Sequence, residues 1–145
     1  MVAGGPDEVV ETVAAYGERL GVAFQLADDV LDLASSGDES GKTPGTDLRE
    51  KVPTMPVLLL RARIAQGTAT EDDAALVELL DSDLTDDAAL AAAVAALRRH
   101  EVLAETRALA VRWARSAVDE LDTLPPGPVS DALRSFAEAL ADRAA

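Results

Sequence analysis

Apolar residues recur along this chain at the spacing of an α-helix, and no segment alternates at the spacing of a strand. From Glu8 they fall at Val9, Val13, Tyr16, Leu20, Phe24, Ala27 and Leu31, one face of a 3.6-residue period. The reading is one long helix to about Leu33, with Asp7 as its cap. After Pro53, "TMPVLLLRARIAQG" reads as a helix closed by Gly67, and "TEDDAALVELLD" as a short one capped by Thr70. "TDDAALAAAVAALRRHEV" begins another, capped by Thr85. "LAETRALAVRWARSAVDELDTL" is long and amphipathic and is stopped by "PPGP"; "VSDALRSFAEALADRAA" follows, with Ser130 as its cap. The turn-rich stretch "ASSGDESGKTPGTD" reads as a loop, and long ordered loops in compact domains tend to be functional. The expectation is an all-α antiparallel helical bundle with short links, one helical domain over residues 1–145.

Composition narrows the function. The chain is 48% hydrophobic but only 3% aromatic, so its core is aliphatic. Acids outnumber bases 27 to 13, for a formal charge of -14, which argues against a nucleic-acid partner because that needs a basic face. With no cysteine, disulfide frameworks and thiolate metal sites are excluded. The opening "MVAGGPD" has no basic region or apolar run, and no stretch is long enough to be a transmembrane segment. A cytoplasmic protein is expected.

One stretch resists a purely structural reading. On a wheel of about 100° per residue, Gln25, Asp28, Asp29 and Asp32 fall within roughly a quarter of the circumference. Phe24, Ala27 and Leu31 lie to one side; Leu26, Val30 and Leu33 lie to the other. Apolar surface on both sides implies an enclosed helix, where uncompensated carboxylates are costly. Oxygen ligands without histidine or cysteine nearby suit a hard divalent cation, most naturally Mg2+, which often bridges carboxylates to substrate phosphates. A bare D-D-x-x-D is otherwise just a solvated face. The loop that follows adds weight, because Lys42 between glycines in "GKTPG" is a typical phosphate contact. Asp47 is placed to orient that lysine or a metal-bound water.

"FQLADDVLD", "GK", "GTDL" and "PTMPVLLL", in this order, resemble the second aspartate-rich region of the trans-isoprenyl (polyprenyl) diphosphate synthases. "LDTLPPGPVSDALRSFAEALADRAA" resembles that family's carboxy-terminal helices. The likeness covers nearly the whole chain but only the carboxy-terminal half of the family's fold. It implies a Mg2+-dependent prenyltransferase component of isoprenoid biosynthesis, joining isopentenyl diphosphate to an allylic diphosphate. On this resemblance Asp28, Asp29 and Asp32 hold the metal, and Asp28, Asp29 and Lys42 serve catalysis. Phe24, Gln25, Lys42 and Lys51 contact substrate, and Asp47 supports from behind. The chain departs from the family where glycine-lysine often follows the "DL" segment: here Lys51 precedes Val52, so a second phosphate-contacting lysine is shifted by one place or absent.

The family's first aspartate-rich motif and its receptor for isopentenyl diphosphate belong to the other half of its fold, so the expectation is a homodimer, or a heteromer with a chain carrying that amino-terminal half. A non-catalytic regulatory partner of a complete synthase and an inactive truncated homologue remain as alternatives. The aspartate pairs in "TEDDAALVEL" and "TDDAALAAAV" stand at helix starts, where carboxylates favour the helix dipole. Arg98, Arg99 and His100 read as a dipole-facing basic cluster, and Trp113 as core or interface.

Overall fold

A computed structural model of the chain describes residues 6–34 and 44–145. The fold is all-α, as expected, with no strand among the described residues. The elements are α1 (Pro6–Ala34), α2 (Thr46–Arg49), α3 (Met55–Gln66), α4 (Glu71–Asp81), α5 (Asp87–Arg99), α6 (Glu101–Glu120), a 3-10 turn (Leu121–Thr123) and α7 (Pro128–Ala144). They pack as two compact units. One comprises residues 28–106; the other comprises residues 1–27 and 107–145. Helices α1 and α6 contribute to both.

In the 28–106 unit the core is aliphatic, built on Leu33, Leu60, Leu84, Leu97 and Val102, all nearly inaccessible to solvent. Each such side chain contributes about 1.5–3 kcal/mol by leaving water. In the other unit Tyr16 packs with Ala117, Leu121 and Ala137, and its hydroxyl donates to the Leu133 carbonyl at 2.8 Å. Burial raises the pKa of that phenol above its ordinary value. No helix among the described residues is long and apolar enough to cross a membrane.

The helix ends follow from local chemistry. Gly67 closes α3 at φ 74, a left-handed conformation that a glycine adopts without strain. Thr70 caps α4 through a reciprocal box: its hydroxyl accepts from the Asp73 amide at 3.1 Å, and Asp73 accepts from the Thr70 amide at 3.0 Å. Four boundaries differ from the sequence reading. Helix α1 begins at Pro6, so Asp7 lies in its first turn and not at its cap; proline is already shaped for a helix start. The cap of α5 is Asp86, which accepts from the Ala89 amide, while Thr85 is held by Asp83 through both its amide and its hydroxyl. The carboxylate at 86 stands three residues before that amide, the reach a cap requires. Helix α7 begins at Pro128 with Gly127 before it, leaving Ser130 buried inside; proline is already shaped for a first helical position. Helices α5 and α6 break at His100, two residues earlier than expected. The short helix α2 lies where the sequence reading has the end of the loop.

Candidate functional site

The acid-bearing stretch occupies the last two turns of α1, which is a single continuous helix through Ala34. Helical spacing puts Asp28 and Asp32 one turn apart on the same side, with Asp29 about 100° further round. The tertiary structure divides them sharply. Asp28 is exposed and Asp32 half-buried, while Asp29 retains only 8% of its accessible surface. The Asp29 carboxylate accepts the Met55 amide at 2.9 Å. Met55 is the first residue of α3, and Thr54 before it caps that helix with no side-chain bond. Pro56 follows and has no amide hydrogen, so the Met55 N–H is one of few unpartnered donors at that end. A carboxylate there also sits favourably in the field of the helix.

The carbonyl end of α1 is anchored at two further points. A helix leaves its last four carbonyls without internal partners. Here Gly45 donates its amide to the Asp32 carbonyl at 3.2 Å, and Arg98 donates its Nε to the Leu33 carbonyl. Gly45 has φ 82, and a Cβ there would stand 2.4 Å from Val94 Cγ2, so only glycine fits. Its amide bond ties residue 45 to the acid-bearing turn.

The remaining sequence candidates are placed as follows. Phe24 is 51% exposed and Gln25 is exposed, both on α1 ahead of the acids. Asp47 lies half-buried in α2, and its carbonyl accepts from the Val52 amide at 2.9 Å. Lys42 lies outside the described residues. Lys51 adopts φ 58, and its ammonium donates to the carbonyls of Leu80 and Ser82, each at 2.7 Å. The structure thus brings Lys51 to the end of α4, near Asp81 and Asp83, whose pKa values lie below the ordinary carboxylate value chiefly through hydrogen bonds from Arg61 and Thr85 respectively, with the Lys51 charge adding to each. Among the described residues no three histidine, aspartate or glutamate side chains converge on a point that could hold a metal. Asp28 and Asp32 still fit the chemistry of Mg2+, which takes one or two carboxylates and completes its shell with water and phosphate oxygens.

A second acidic centre escaped the sequence reading. Asp73, 2% exposed, meets His100 Nε2 at 2.6 Å and Arg63 Nη1 at 3.6 Å. Arg63 also pairs with Glu101 at 3.1 Å and Glu105 at 2.5 Å. His100 Nδ1 accepts the Val102 amide at 3.1 Å, capping the first turn of α6 and leaving Nε2 to carry the proton toward Asp73 when the ring is neutral. The pKa of Asp73 lies below the ordinary carboxylate value, chiefly through the Thr70 amide and then through His100, with burial opposing. The capping half of this centre is visible in the sequence as threonine and aspartate three residues apart. The pairing with His100, 27 residues away, has no local signal.

Comparison with known proteins accords with this architecture. Residues 1–97 match the polyprenyl synthetase family model. The chain is 38% identical over 138 residues to a nonaprenyl diphosphate synthase of Mycobacterium tuberculosis, covering 95% of this chain and 40% of that protein. It is 30% identical over 137 residues to heptaprenyl diphosphate synthase component 2 of Geobacillus stearothermophilus, covering 94% and 40%. Its fold superposes with a TM-score of 0.80 and 32% identity on the geranylgeranyl pyrophosphate synthase of Corynebacterium glutamicum, crystallised with calcium and isoprenyl diphosphate, covering 94% of this chain and 41% of that one. The chain therefore spans about two fifths of the length of the relatives it matches. By the match of its family model over residues 1–97, the chain belongs to the polyprenyl synthetase family.

Proposed function

We propose that this chain supplies the second aspartate-rich part of a prenyltransferase site, in which isopentenyl diphosphate is joined to an allylic diphosphate. The observation that carries the reading is the division on α1: Asp28 is exposed and Asp32, one turn on, is half-buried on the same side, while Asp29 is turned inward. The exposed Asp28, with Asp32 on the same side of the helix, provides oxygen donors for Mg2+ against a diphosphate. The metal, when bound there, supplies neutralisation of the charge that builds on the leaving diphosphate. Phe24 and Gln25 precede the acids on the same helix and border the substrate; Lys42 contacts the diphosphate. Asp47 supports from α2.

Catalysis also needs the acceptor alkene held against the forming cation, a task that the family resemblance assigns to the other half of the fold. The rest of the site comes from polypeptide beyond these 145 residues or from a partner chain. The likeness to a protein named as one component of a heptaprenyl diphosphate synthase supports a heteromer.

The test is incorporation of labelled isopentenyl diphosphate into longer products. The chain is assayed alone and with a chain carrying the remainder of the family's length. The expected result is weak binding of Mg2+ and pyrophosphate alone, no elongation alone, and turnover on mixing. Robust turnover by the chain alone, or no binding of pyrophosphate at millimolar Mg2+, overturns the reading.

A further inference from the structure

We infer that Asp29 is a positioning residue and not a metal ligand: it sets the roll of α1 by gripping the first amide of α3, and thereby aims Asp28 outward with Asp32 on the same side. This rests on the functional reading above and assigns different tasks to three aspartates that look equivalent in the sequence.

Three observations carry it. The Asp29 carboxylate is nearly buried and lies 2.9 Å from the Met55 amide nitrogen. That amide has no other cap, since Thr54 contributes no side-chain bond and Pro56 has no N–H. A buried carboxylate is stable only where its charge is answered, and the amide end of a helix answers it. The geometry then does the aiming. With Asp29 pinned toward α3, Asp28 stands about 100° to one side and Asp32 about 60° to that same side, because of the helical pitch. The Gly45 and Arg98 bonds to the Asp32 and Leu33 carbonyls hold the height of the same turn. The side chain of Asp29 supplies the rotational restraint that backbone bonds leave soft.

The inference separates from a metal-ligand role by what asparagine can and cannot replace. Asparagine keeps an oxygen for the Met55 amide but is a poor ligand for Mg2+. Asp29→Asn, Asp29→Ala and Asp28→Asn are compared in the full 145-residue chain. The readouts are urea stability, Mg2+-dependent pyrophosphate binding by calorimetry, and hydrogen exchange at the Met55 amide. Asp29→Asn should leave binding within about threefold of the parent and keep Met55 protected. Asp29→Ala should lower the folding equilibrium roughly tenfold, expose Met55 to exchange, and weaken binding, with rescue by asparagine. Asp28→Asn should weaken binding at least tenfold with stability unchanged. If Asp29→Asn loses binding as Asp28→Asn does, Asp29 is a ligand and the inference falls. If Asp29→Ala folds and binds like the parent, or leaves Met55 protected, the anchor does not position anything and the inference also falls. If Asp28→Asn leaves binding intact, the functional reading fails instead, and the anchor is judged on Met55 exchange and stability alone.

Discussion

Two aspartate centres in the 28–106 unit use the same side chain for opposite ends. Around Asp73 the charge is answered at close range: the start of α4, an imidazole and a guanidinium converge on one buried carboxylate. On α1, Asp28 is exposed, and among the described residues no cation is paired with it. Asp29, beside it, is buried against a helix start in the manner of Asp73. A carboxylate whose charge is neutralised inside the fold stabilises the fold. One that the fold turns outward without such an answer is available to a cation. The contrast predicts that the two centres respond differently to the same change.

The largest effect is expected from Asp28→Ala in the assembled enzyme. Its turnover should fall by a factor of hundreds, the size typical of a lost electrostatic stabiliser, with the urea midpoint of the chain unmoved. A fall in stability as large as the loss of rate would erase the contrast. At the other centre, Asp73→Ala should cost about 3 kcal/mol, because it removes a cap and a charged hydrogen bond and leaves polar partners unanswered. Pyrophosphate binding should not change.

Gly45→Ala sharpens the comparison from the backbone side. It forces a Cβ into Val94 at a left-handed φ, and should cost about 2 kcal/mol in urea denaturation through strain and overpacking. Because Gly45 holds the Asp32 carbonyl, binding should weaken as well. Acid offers a gentler probe. The folded-state pKa of Asp73 is depressed, so its contribution is fully present above the ordinary carboxylate value of about 3.9 and is lost as pH falls below it. Asp73→Asn should flatten that part of the stability profile, followed by circular dichroism. The smallest change is expected from Lys51→Ala, which removes two bonds to the end of α4 and should cost about 1 kcal/mol. If Lys51 instead serves the diphosphate, binding will fall by more than stability does.

Much of the fold was legible because helical periodicity is local. The apolar series from Val9 to Leu31 placed α1 within a few residues, and Gly67 and Thr70 marked real ends. The errors are also local in origin. Thr85 and Ser130 have the right side chains to cap, but Asp86 and the Gly127–Pro128 pair compete for the same turns and win on geometry. Helix α2 was missed because four residues carry too little periodicity to register.

For the candidate site, the sequence determined that three carboxylates lie on the last turns of one helix, since residue spacing alone settles their angles. The family resemblance rested on residue identities and needed no coordinates. Only the tertiary structure decided which carboxylate faces inward, because that depends on an amide 26 residues away at the start of α3. It also brought His100 to Asp73 and Lys51 to the carbonyls of α4. Hydrogen bonds of this kind join groups distant in the chain, and their partners are chosen by packing. A one-dimensional pattern therefore records that Asp28, Asp29 and Asp32 exist as a set, and the folded chain distributes their work.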